Sequence, residues 1–208
     1  MKKTYLLLLI IVLTISNLLA QDKRSWLRGK KVALVIGNSN YGDMADLKGR
    51  PVNDAQDVSG ALQRLGFEVI MRKDVNQAAM KSAIRSFAKK AAQAEVALLF
   101  YAGHGLQVKG ENYLIPIGAD ITEEWEVEDE CIKANRILSA MESMNSHVNI
   151  VILDACRNNP FERSWNRGEG GGLNSMSGPT GSIIAFSTAP KDVAANGTGR
   201  IVLIPLLY

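Results

Sequence analysis

Two apolar runs, each ending in one reactive side chain, most constrain how this chain can fold. They are Val96-Ala-Leu-Leu-Phe-Tyr-Ala-Gly-His104-Gly105 and Val148-Asn-Ile-Val-Ile-Leu-Asp-Ala-Cys156-Arg157. Continuous apolar runs of this length read as strands buried on both faces, the pattern of parallel sheets covered by helices. If the two strands are neighbours, His104 and Cys156 emerge side by side at the carboxyl edge of the sheet, where open α/β folds place their chemistry. A thiol beside an imidazole is a nucleophile with its acid/base.

The rest of the chain alternates in the same way. Lys31 to Gly37 reads as a first buried strand and Asn38 to Arg50 as a polar loop. Pro51 opens a helix with Val52, Ala55, Val58, Leu62 and Leu65 at helical spacing, closed by Gly66. Phe67 to Met71 is the second strand, Asp74 to Ala94 the second helix, and Val96 to Ala102 the third strand. A short hairpin follows, turning over Lys109-Gly110-Glu111-Asn112. The acidic stretch from Glu123 to Glu130 reads as a solvated loop, Ile132 to Met144 as a helix, His147 to Ala155 as the fourth strand and Ser182 to Ser187 as a fifth. Between the last two strands, Arg157 to Gly181 is rich in Gly, Ser and Asn, the character of an active-site loop or a cleavable linker. Strands alternating with helices predict an α/β fold around a mostly parallel sheet.

The ends of the chain read differently. Lys2 and Lys3 precede an apolar stretch from Tyr5 to Leu13, and Leu18-Leu19-Ala20 follows, so residues 1–20 are expected to be a secretory signal cleaved after Ala20. Export to the periplasm or the extracellular space is the corresponding expectation, with an uncleaved membrane anchor as the alternative. Residues 21–29 then form a linker, 30–200 one domain and 201–208 an apolar tail. Without the two lysines of the signal, 22 basic residues face 21 acidic ones. A nearly neutral chain gives no reason to expect a nucleic-acid partner.

Two cysteines, Cys131 and Cys156, are too few for a disulfide-built scaffold. They leave one bridge, or a free Cys156, which the strand pattern favours. With two histidines, His104 and His147, and no Cys-x-x-Cys, no metal site is predicted. The run from Glu123 to Glu130 lacks the alternating oxygen ligands and glycine turn of a calcium loop, so calcium has no clear site. No organic cofactor is called for.

A thiolate in apolar surroundings needs a nearby cation, which His104 can supply before protonating a leaving amine. Gly105 allows its backbone N–H to come close, and with the N–H of Cys156 it suits a developing oxyanion. Tyr101-Ala-Gly-His104-Gly105 and Leu153-Asp154-Ala-Cys156-Arg157 resemble the histidine and cysteine motifs of the caspase-like (clan CD, peptidase C14) family. The histidine lies 52 residues before the cysteine, close to the roughly 50 of caspases. Lys31 to Gly37, Asn53-Asp54-Ala55 and Ala185-Phe-Ser-Thr-Ala-Pro190 extend the likeness over roughly residues 30 to 200, and it is strongest to the bacterial metacaspase/orthocaspase type. The resemblance implies a caspase-haemoglobinase-like three-layer sandwich and a cysteine endopeptidase. It also implies Cys156 as nucleophile, His104 as acid/base and Gly105 as an oxyanion donor.

Specificity follows from charge. Asp154 lies two residues before Cys156 on one strand, and Asp54 lies near the start of the first helix, where the helix dipole favours a carboxylate. In metacaspase-like proteins the matching aspartates line the S1 pocket and select Arg or Lys at P1, and two carboxylates in one cleft favour a cation. The Ser-Trp-Arg segment with which true caspases select aspartate is absent downstream of Ser187 to Pro190. Structural alternatives stay open: Asp54 as a residue satisfying helix N-terminal donors, and Asp154 as a buried hydrogen-bonding residue. Asp57 and Asp192 are secondary candidates for the pocket. Arg163 and Arg167, in the loop after the cysteine, are positioned for self-processing.

Two other functions compete: a non-catalytic caspase-like binding or scaffold module, and a flavodoxin-like nucleotide binder. The second lacks a phosphate-cradling glycine loop after the first strand. The final Ile201 to Tyr208 replaces the Asn-Ser-Pro-Tyr-Thr that commonly follows Gly-Arg in the family. Codons for that peptide read one base later can spell Ile-Val-Leu-Ile-Pro, so a frameshift is expected there.

Overall fold

The computed structural model describes residues 29–42, 47–156, 173, 176 and 182–186. The signal segment 1–20, the linker as far as residue 28, Arg163, Arg167, Ser187 to Pro190, Asp192 and the tail 201–208 lie outside the described residues.

β1 (Lys31–Gly37) is followed by α1 (Arg50–Arg64), β2 (Glu68–Lys73), α2 (Gln77–Ala91), β3 (Val96–Val108) and β4 (Glu111–Leu114). A 3-10 turn (Glu124–Glu126), α3 (Val127–Glu130), β5 (Ile132–Lys133), α4 (Ala134–Glu142), β6 (Val148–Cys156) and β7 (Ser182–Phe186) complete the order. Pro51, pre-set for a helical φ, stands in the first turn of α1. The Asn76 side chain accepts the Ala79 N–H at 2.9 Å and caps α2, and Lys89 and Lys90 complement the dipole at its far end.

Five parallel strands lie in the order β2-β1-β3-β6-β7. β4 and β5 add an antiparallel extension to the distal half of β3. The parallel strands begin at β1 and proceed outward in both directions, so β1 and β3 flank the switch point at which such sheets bind ligands. One face packs Leu34, Ile36, Leu99 and Tyr101 against Met80 and Phe87 of α2 and Ile137 and Met141 of α4. The opposite face packs Ala33, Val35, Leu98 and Phe100 against Ala55 and Leu62 of α1. The result is helix, sheet, helix, the predicted three layers. No helix among the described residues is long and apolar enough to cross a membrane.

Several boundaries differ from the sequence expectation. The third strand does not stop at Ala102 but continues through His104 to Val108, because β4 takes over as its partner. The hairpin turn is shorter than predicted: Val108 pairs with Glu111, leaving Lys109 (φ 50°) and Gly110 (φ 82°) as a two-residue turn with the positive φ at both positions that such turns demand. The second helix starts at Gln77 rather than Asp74. Ile132 and Lys133 are not helical, because Leu114 and Tyr113 recruit them into the antiparallel sheet. The acidic stretch is solvated as expected, with Glu123, Glu128 and Asp129 exposed, but it forms a 3-10 turn and a short helix rather than a loop. Glu126 closes the turn, its carboxylate accepting the Thr122 N–H at 2.8 Å and the Glu123 N–H at 2.9 Å, while Val127 is buried.

Candidate active site

β3 runs beside β6 from Val96 opposite Val148 to His104 opposite Cys156. The two chemically distinctive residues therefore end one ladder as direct neighbours. On its other edge β3 exchanges partners: β1 accompanies it as far as Gly37 opposite Ala102, and β4 starts with Leu114 opposite Gly105. His104 lies in the interval between them.

Side chains fill that interval. The His104 N–H donates to the Tyr41 hydroxyl at 2.9 Å, and the Tyr101 hydroxyl donates to the His104 carbonyl at 2.7 Å, where the Ile115 N–H also donates at 3.0 Å. The hydroxyls of Tyr41 and Tyr101 stand 3.2 Å apart, and each reaches the Ile115 carbonyl, at 3.1 and 3.0 Å. Burial holds both phenols well above their ordinary pKa, so they stay neutral donors. The Tyr41 ring also lies against the His104 imidazole, centroids 4.5 Å apart and tilted by 56°. His104 is buried, at 2% exposure. Gly103 is obligatory here: a Cβ would fall 2.6 Å from the Tyr41 hydroxyl and 2.7 Å from that of Tyr101.

Tyr41 is brought in by the turn after β1. Asp74, at the end of β2, accepts the N–H groups of Ser39 (2.7 Å) and Asn40 (3.0 Å), and the Ser39 hydroxyl accepts the Val52 N–H at 3.2 Å in the first turn of α1. The Asn38 side chain accepts the Val75 N–H at 3.0 Å. In the sequence Asn38 to Arg50 is an undifferentiated polar loop, in which Tyr41 carries no positional signal. Only its aromatic character within such a loop sets it apart.

Gly105 is close-packed: a Cβ would lie 3.0 Å from the Cβ of Ala155 on β6 and 3.3 Å from the Tyr113 carbonyl oxygen. Asp54 and Asp154 are also brought together. Asp54 is buried on α1, and its carboxyl is pushed up to about 6, first by desolvation and then by the charges of Asp154 and Asp57, with Arg50 opposing. The helix-dipole argument for Asp54 does not hold. It is the fifth residue of α1, past the first turn, and burial with like charges dominates. Gly37 makes the approach possible, since a Cβ there would meet the Pro51 carbonyl oxygen at 2.4 Å and the Ala55 Cβ at 2.7 Å.

Cys131 is buried and unbridged, so the Cys131–Cys156 disulfide alternative is not realised. Burial, with the charge of Glu130, pushes its thiol up to about 12. Among the described residues, no three His, Cys, Asp or Glu side chains gather as a metal site.

A parallel sheet flanked by helices, with a histidine and a cysteine paired at the end of the ladder between its central strand and the next, defines a caspase-like α/β protein. The chain matches the caspase domain of peptidase family C14 over residues 30–201 and belongs to that family. It is 32% identical over 127 residues to human mucosa-associated lymphoid tissue lymphoma translocation protein 1, covering 61% of this chain and 15% of that protein, and its mouse homologue gives the same figures. The match thus spans a small part of those relatives. The crystal structure of the Drosophila initiator caspase Dronc superposes with a TM-score of 0.53 at 13% identity, over 77% of this chain and 56% of that one, a likeness of fold.

Proposed function

We propose that this chain is a cysteine endopeptidase cleaving after Arg or Lys, with the specificity of the metacaspase type. The observation that carries the reading is the ladder of β3 and β6, whose last pair sets His104 directly opposite Cys156. In the proposed cycle His104 takes the thiol proton, the Cys156 sulfur attacks the scissile carbonyl, and the N–H groups of Gly105 and Cys156 receive the oxyanion. The amine departs with the proton from His104, leaving a thioester that water hydrolyses.

Asp54 and Asp154 bind the P1 cation in this reading, supported by their electrostatic proximity. Protein substrates follow, and Arg163 and Arg167 are the proposed self-processing positions. Export belongs to the same proposal, resting on Lys2, Lys3 and the apolar run behind them.

The test incubates purified protein and its Cys156→Ala variant under reducing conditions with fluorogenic peptides ending in Arg, Lys or Asp, with and without calcium. Turnover of Arg and Lys peptides that vanishes in the variant supports nucleophile and pocket together. Turnover of Asp peptides overturns the specificity, and a folded but inert protein favours the binding-module alternative.

A further inference from the structure

Resting on the peptidase reading, we propose that Tyr41 and Tyr101 are positioning residues for His104, the Tyr41 hydroxyl standing in for a strand at its N–H where β3 leaves β1 and the Tyr101 hydroxyl reinforcing its carbonyl beside the Ile115 N–H. A strand residue is ordinarily fixed by ladder hydrogen bonds on its N–H and C=O. For His104 the described edge toward β1 offers no strand, since the β1 ladder ends at Ala102 and that of β4 begins at Gly105. Tyr41 takes the N–H, which meets no strand, while the C=O receives the Ile115 N–H just past β4 and the Tyr101 hydroxyl as a second donor, so the backbone of His104 is held at both its polar groups.

Hydrogen counting makes the arrangement directional. The His104 amide can only donate, so the Tyr41 oxygen is its acceptor, and the single Tyr41 proton goes onward to the Ile115 carbonyl or to Tyr101. Tyr101 in turn spends its one proton on the His104 or Ile115 carbonyl, while the Asn38 amide supplies another donor to Ile115 at 3.4 Å. The network closes with donors matched to acceptors. Tyr41 touches His104 a second time through its ring, which bounds the imidazole on one side. A residue fixed at its amide, its carbonyl and its ring has little freedom to drift. An error of about 1 Å in a reacting group costs on the order of a hundredfold in rate.

Asp74 extends the device by one layer. Its carboxylate holds the Ser39–Asn40 turn that delivers Tyr41, so the end of β2 is mechanically connected to the histidine.

The experiment compares wild type, Tyr41→Phe, Tyr101→Phe and His104→Ala in the full chain. Two readouts are taken: kcat and KM on an Arg-terminated peptide, and the rate of Cys156 alkylation by iodoacetamide across pH 5 to 9, followed by intact mass. Cys131 is buried with a strongly raised pKa and stays silent, which Cys156→Ala verifies. Tyr41→Phe should lower kcat at least about tenfold, keep KM within about threefold, and move the low-pH limb of alkylation toward that of His104→Ala.

Folded fraction is measured by circular dichroism on the same samples. Tyr41→Phe with wild-type kcat and alkylation profile, or with activity lost only in proportion to folded protein, overturns the positioning role while the peptidase reading stands. If Tyr41→Phe does not fold, Tyr101→Phe applies the same criteria from the carbonyl side. A wild type without turnover, whose alkylation is indifferent to His104→Ala, overturns the peptidase reading and this proposal with it.

Discussion

Asp54 combines a cost to the fold with its proposed use in the cleft. Its carboxyl is raised from 3.8 to about 6, so between those values the folded chain holds a proton that the unfolded chain has released. Stability therefore falls as pH rises through that window, and above about 6 the full cost is present. Asp54→Asn should be more stable than wild type at pH 7.5, by on the order of 1–2 kcal/mol in urea denaturation, with the gain vanishing near pH 4. The same variant should raise KM for Arg peptides by about tenfold or more, and wild-type KM should worsen as pH falls through about 6. Equal stability of the two proteins across this pH range would show that burial and like charge do not dominate at Asp54. The pairing of residues 104 and 156 was legible because each lies the same number of residues beyond its strand's opening valine, Val96 and Val148. Tyr41 was not, because its partner stands 63 positions away and no local pattern encodes that contact.

Elements set the distances between such residues. α1 rests on the end of β1 only because residue 37 has no side chain. Gly37→Ala would push a methyl into the Pro51 carbonyl, which is backbone and cannot rotate aside, so the helix must lift. The expected loss is about 2–3 kcal/mol by thermal or urea unfolding, with KM rising more than kcat falls, since Asp54 travels with the helix. Asp74→Ala should cost about 1–3 kcal/mol, because two N–H groups of the turn after β1 lose a charged acceptor. Its effect should fall on kcat, through Tyr41. Helices and buried strands were legible from periodicity, whereas Ile132-Lys133 was not. Its apolar residue continues the helical spacing of α4, and only the approach of Leu114 and Tyr113 draws it into a strand. The charge of the acidic run correctly predicts solvent, but it does not reveal that Glu126 bonds to its own turn.

At the scale of the whole molecule, stability should grade outward from β1 and β3. Val32 to Ile36 and Leu99 to Ala102 lie at the centre of the sheet with helices on both faces, and their amides should exchange slowest with solvent. β2 presents exposed Glu68, Arg72 and Lys73 and pairs, among the described residues, with β1 alone, so it should exchange earlier. Uniform exchange across β1, β2 and β3 would mean that the sheet opens as one unit. The alternation of strands and helices revealed the class of fold, but the order β2-β1-β3-β6-β7 is a choice among crossovers that no single stretch of sequence encodes.

The meeting of Asp54 and Asp154 above the sheet has a consequence for what keeps the molecule folded. Two carboxylates on different elements, α1 and β6, repel each other while the cleft is empty. A guanidinium or ammonium bound there as proposed would turn that repulsion into a bridge, a counter-ion fastening a helix to a strand. Under the proposed specificity, occupancy and folding become one equilibrium, and a cationic peptide should raise the unfolding midpoint of the Cys156→Ala chain, which cannot cut it.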